Sequence, residues 1–104
     1  MPGPLFRLRL QLAAGRMERG GKISGEERDR FRRFVRTASD EDWSVLAEVL
    51  ADEGVRLGLV SESDVPKAGA SDRDWAGFLE KLIAAFEKIM PLILAFIEMF
   101  SKFA

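Results

Sequence analysis

Residues 78–104 read FLEKLIAAFEKIMPLILAFIEMFSKFA, and this stretch governs the rest of the chain. Only seven of its positions are polar: Glu80, Lys81, Glu87, Lys88, Glu98, Ser101 and Lys102. Steps of seven, eleven and fourteen relate them, so on an α-helix they fall on one narrow stripe. The remaining circumference is Leu, Ile, Phe, Ala and Met. A surface helix usually buries an apolar stripe of about 100°, so the ordinary proportions are reversed. Each large apolar side chain left in water forgoes about 1.5–3 kcal/mol of burial. Such a helix must be covered by the chain's own helices, by another protein, or by lipid. The uninterrupted apolar run Ile89–Ile97 has nine residues, short of the roughly 20 that span a bilayer. The membrane alternative is therefore a helix lying at the interface or lining a pore.

Working outward, Ser71 and Asp74 have the spacing of a capping box, in which each side chain satisfies the other residue's backbone N–H. This predicts a helix from residue 72 to about 103. Pro91 removes one backbone donor and clashes with the Glu87 carbonyl, which predicts a kink or a split there. Residues 61–71, with Pro66 and Gly69, read as a linker.

Three further helices are expected in residues 1–60. Over Leu5–Met17, Phe6, Leu8, Leu10 and Leu12 alternate with Arg7, Arg9 and Gln11, which is strand-like. The residue types are helix formers with no β-branched member, and Pro4 suits a first turn, so a helix ending at Gly20-Gly21 is the better reading. Ser24 with Glu27 opens the second helix, whose apolar stripe is Phe31, Phe34, Val35 and Ala38. Ser39 with Asp42 opens the third, carrying Trp43, Leu46, Ala47 and Leu50, with Gly54 expected at its C-cap. Trp43 and Trp75, each in a first turn, are expected to anchor packing.

The 104 residues suffice for one hydrophobic core. Apolar residues make up 47% and charged residues 32%, a globular balance. There is no cysteine, histidine or tyrosine. Thiol nucleophiles, Cys/His zinc sites and histidine acid–base chemistry are thereby excluded, and neither a catalytic residue nor a cofactor or metal site is expected. The absence of cysteine fits a reducing compartment, so a cytoplasmic or membrane-peripheral location is expected. Residues 1–20 lack the continuous apolar stretch of a secretory signal. A net charge of −1 conceals a polarity along the chain. Residues 1–37 carry ten Lys/Arg against four acids, and residues 38–64 carry eight acids against one Arg. These blocks are expected to attract each other within the fold or between copies.

The stretch Gly21-Lys22-Ile23-Ser24-Gly25-Glu26-Glu27 resembles the second half of an EF-hand loop: a glycine, a hydrophobic residue two positions on, and a closing glutamate. Gly58, Val60 and Asp64 echo it, and Ile23 and Val60 lie 37 residues apart, similar to paired EF-hands. The resemblance implies a helix–loop–helix pair over residues 5–65, its two hairpins joined by a short β contact. It does not imply calcium binding. Arg16 and Gly20 in the first loop, and Val55 and Leu57 in the second, stand where calcium requires oxygen ligands.

The expectation is an all-α protein: three N-terminal helices, a linker, and a long hydrophobic, Pro-kinked helix over residues 72–104. The leading function is a non-enzymatic assembly module that self-associates or docks on a larger protein through Trp75, Phe78, Leu82, Phe86, Ile89, Ile93, Phe96 and Phe100. The alternative is a membrane-associated or pore-forming protein. A third reading assigns Arg28, Arg32, Arg33 and Arg36 to phosphate contacts with nucleic acid. Its structural counterpart is a solvated face pairing with acids of the next helix.

Overall fold

A computed structural model describes residues 2–103, apart from the side chains of 101–103. All regular structure among these residues is helical. The chain forms α1 (Pro4–Arg19), α2 (Gly25–Thr37), α3 (Asp40–Arg56), a 3-10 turn (Glu62–Asp64), α4 (Asp72–Ile83) and α5 (Phe86–Phe103).

The three capping boxes form as their spacing requires. Ser24 Oγ accepts from Glu27 N at 3.1 Å, Ser39 Oγ from Asp42 N at 3.2 Å, and Ser71 Oγ from Asp74 N at 3.2 Å. In each, the acidic side chain accepts the N–H of the serine in return. The helix ends are as specific. Gly21, at φ +69°, closes α1: its N–H donates to the Glu18 carbonyl and that of Lys22 to Met17. Gly58, at φ +72°, closes α3 the same way, its N–H donating to Val55 and that of Leu59 to Gly54. Both are Schellman motifs, which need a residue in the left-handed region. Gly54, expected at the C-cap, lies instead inside α3 and is buried. A Cβ there would stand 2.9 Å from Leu82 Cδ2 and 3.2 Å from Val60 Cγ2, so this glycine makes room for those two side chains against α3.

The expected helix over 72–103 is two helices. It breaks at Ala84–Ala85, where Ala85 N donates to Leu82 O and Lys88 N to Ala85 O. Pro91, the expected kink, lies within α5 on its exposed side. Pro91 denies the Glu87 carbonyl its usual helical donor, and Glu87 is itself an exposed residue. Thirty-two residues in one straight helix would run about 48 Å, while the molecule's longest extent is 36 Å. Turning at Ala84–Ala85 brings both halves onto one core.

That core draws on every helix: Phe6 and Leu10 from α1, Phe31 and Phe34 from α2, Trp43, Leu46 and Leu50 from α3, Trp75, Phe78 and Leu82 from α4, and Ile89, Ile93 and Ile97 from α5. α5 contacts each of the other four helices, and α1 packs chiefly against α4. Ile23 and Val60 both pack against this core. No strand forms among the described residues, so the β contact implied by the EF-hand resemblance is not made.

The left-handed cap gives a direct test. Gly58→Ala is expected to lower the unfolding free energy by about 1–2 kcal/mol, the cost of a Cβ in that conformation. A shift of the urea midpoint to lower concentration would show it, and an unchanged midpoint would contradict this cap.

Candidate functional site

The side chains expected to meet a partner are mostly core. Trp75, Phe78, Leu82, Phe86, Ile89 and Ile93 are all buried, the last two completely. Phe96 and Phe100 are partly covered, their rings meeting Phe34 edge-on at centroid distances of 5.9 and 5.2 Å. Phe34 also stacks at a tilt on Trp43, 5.1 Å away. The cover for the hydrophobic helix is thus largely the chain itself, because the other four helices surround α5. Its exposed remnant is centred on Met99, 60% exposed. The polar stripe faces water as the spacing requires, with Glu80, Lys81, Glu87, Lys88 and Glu98 all exposed; the Ser101 and Lys102 side chains lie outside the described residues.

The arginines of α2 are only partly available. Arg28 Nη1 bonds Glu18 at 3.2 Å and its Nε bonds Asp29 at 3.3 Å. The Glu18 bond, with Asp29 beside it, raises the Arg28 pKa further above its ordinary value. Arg32 lies 3.7 Å from Glu18, and Arg30 pairs with Glu26. These partners are on the preceding helix or on α2 itself, rather than on the next helix as the charge pattern suggested. Arg33 and Arg36 are exposed, without an ion-pair partner among the described residues.

Among the described residues, α1 leaves two large apolar side chains open one turn apart. Leu8 and Leu12 are 52% and 55% exposed, while Phe6 and Leu10 are buried. The alternation that looked strand-like produces this. On a helix, positions two apart differ by about 200°, so one row of an alternating pattern faces in and the other faces out. Phe6 and Leu10 take the core; Leu8 and Leu12, one turn apart, take the opposite side. Leu5 flanks them half-buried, and Arg16 and Arg19 extend the stripe, exposed and without ion-pair partners among the described residues.

Three contacts fix the attitude of α1. Its own N-cap, Gly3, has no side chain to offer, and the cap comes from the first residue of α4. One Asp72 oxygen accepts from Gly3 N at 2.7 Å and Phe6 N at 3.0 Å; the other accepts from Leu5 N at 2.8 Å. Pro4 between them has no N–H to satisfy. The Arg7 guanidinium pairs with Asp40 and lies over the Trp43 ring, 5.3 Å from its centroid. Arg9 pairs with Glu80. The outward leucines therefore stand on a helix clamped from α3 and α4.

No protein family, curated protein or solved structure shows significant similarity to the chain.

Burial alone would raise the Asp72 pKa, but the N–H bonds from Leu5, Phe6 and Gly3 outweigh it, and the net shift is downward. A carboxyl lowered on folding contributes stability that is complete above its unfolded pKa of about 3.9 and lost as pH falls through the lower folded value. Asp72→Ala is expected to cost about 1–3 kcal/mol at neutral pH, since it leaves three donors without their acceptor. It should also flatten the acid limb of the stability–pH curve. Urea unfolding across pH 2–7 checks both, and identical acid limbs in the two proteins would contradict this role.

Proposed function

We propose that this protein is a non-enzymatic assembly module that self-associates, and that its docking face is the outward side of α1. The observation that carries the reading is the half-exposed pair Leu8 and Leu12, one helical turn apart and opposite the core-facing Phe6 and Leu10. Isolated exposed leucines are ordinary on protein surfaces. Two in one stripe on a helix pinned at its N-terminus form a preorganised ridge, and covering them removes apolar area from water without a cost in backbone ordering. The reading moves the docking face away from the C-terminal helix, whose large side chains already serve the core.

The alternatives have less support. Among the described residues no helix is long and apolar enough to cross a membrane, and the side chains that an interfacial α5 would give to lipid, Ile89, Ile93 and Ile97 among them, are buried in the core. Nucleic-acid contact through α2 would draw on Arg28 and Arg32, which already face Glu18.

Sedimentation velocity tests the proposal. The wild-type chain is expected to gain mass with concentration, and Leu8→Ser/Leu12→Ser to remain a monomer with an unchanged helical circular dichroism spectrum. A wild-type chain that stays monomeric at its highest soluble concentration, in both low and high salt, would sink the proposal.

A further inference from the structure

We infer that the surface received by the α1 ridge is the outward face of α3 in a second copy of this chain. The inference rests on the self-association proposed above and names the complementary surface. On α3, Glu41, Val45, Glu48 and Asp52 recur at i, i+4, i+7 and i+11, on the side opposite the buried Trp43, Leu46 and Leu50. All four are exposed, Val45 to 42%. None of the three acids has an ion-pair partner among the described residues. Lys67 lines the same shallow cleft as Glu48 and Asp52 without reaching ion-pair distance of either.

The polarity of the sequence survives in the fold. Among the described residues a single ion pair, Arg7–Asp40, links the basic residues 1–37 to the acidic residues 38–64. The other pairs of the basic segment are internal to it or reach Glu80 and Glu87. Unneutralised positive charge therefore remains at Arg16 and Arg19 on α1, and unneutralised negative charge on the outer face of α3.

The two stripes match in length, and their last three positions match in order, apolar against apolar and then basic against acidic. On α1 they run Leu8, Leu12, Arg16, Arg19, and on α3 Glu41, Val45, Glu48, Asp52, each spanning twelve residues. A parallel register sets Leu12 against Val45, Arg16 beside Glu48 and Arg19 beside Asp52, and leaves Leu8 over the aliphatic stem of Glu41. The leucines supply apolar burial, and the charges supply register and exclude like faces. One helix face is smaller than the ~800 Å² per partner of a stable complex. Exposed charge pairs are individually weak and screened by salt. The association is accordingly weak and salt-sensitive. Because the two faces are different surfaces, each copy offers one of each, and contacts either close reciprocally or extend from copy to copy.

Charge reversal with the full chain tests this. Arg16→Glu/Arg19→Glu and Glu48→Lys/Asp52→Lys are each expected to weaken association at low salt by roughly tenfold or more in sedimentation velocity. An equimolar mixture of the two should recover it, since each reversed face then meets an opposite one. High salt should dissociate wild type and mixture alike. Should wild type associate and Leu8→Ser/Leu12→Ser abolish that, while salt and both reversals leave it intact, α3 is overturned as the receiving surface and the α1 ridge stands. A mixture that stays monomeric also overturns α3. A wild-type monomer in every salt removes both the pairing and the self-association beneath it.

Discussion

The constraint on which this structure turns is the apolar circumference of α5 against the short reach of the helices available to cover it. Helices of 13–17 residues, α1 to α3, cannot sheathe a straight rod of 32 residues. The chain answers by turning at Ala84–Ala85, so that α4 becomes part of the cover and α5 becomes its content. Among the described residues no polar or charged side chain is buried. An interior of hydrocarbon alone fixes few directions, because apolar contact is not directional. Direction comes from the helix ends: three serine boxes, two left-handed glycines and the remote carboxylate at α1.

The two-faced character of α1 follows from that arrangement. With Phe6 and Leu10 committed to the core, it keeps a second apolar row, Leu8 and Leu12, that is left half-exposed. A helix so divided gains little directional preference from hydrophobicity alone, and its orientation is set by Asp72, Arg7 and Arg9. These contacts join it to α4 and α3, and Leu8 and Leu12 ride outward as a consequence. Rigid presentation of a small apolar ridge is the property that the proposed assembly requires.

Much of the fold is legible in the residues, and what escapes does so for physical reasons. The Ser-x-x-Asp/Glu spacings place the starts of α2, α3 and α4, because a capping box is a local interaction between residues three apart. The helical stripes identify Phe31, Phe34, Trp43, Leu46 and Leu50 as core. The interruption at Ala84–Ala85 is not legible: alanine favours helix and the apolar spacing runs unbroken from Leu82 to Phe86, so nothing local marks the turn. Gly54 and Gly58 exchange roles because both are glycines near one helix end, although Gly54 continues the buried stripe of Ala47, Leu50 and Ala51 and so belongs inside. The outward leucines are legible once α1 is read as a helix, since alternation on a helix must populate two opposite faces. The Asp72 cap is not, because nothing near residue 72 marks it as serving residues 3–6.

That last contact bears on how the chain matures on a ribosome. α1 emerges before α4, and the carboxylate that seals its leading turn lies 66 to 69 residues further along. Until synthesis passes that point, the opening N–H groups of α1 have only water for company, and both of its greasy rows face the surroundings. α1 is therefore sealed only after α4 has been made, although it leaves the ribosome before it.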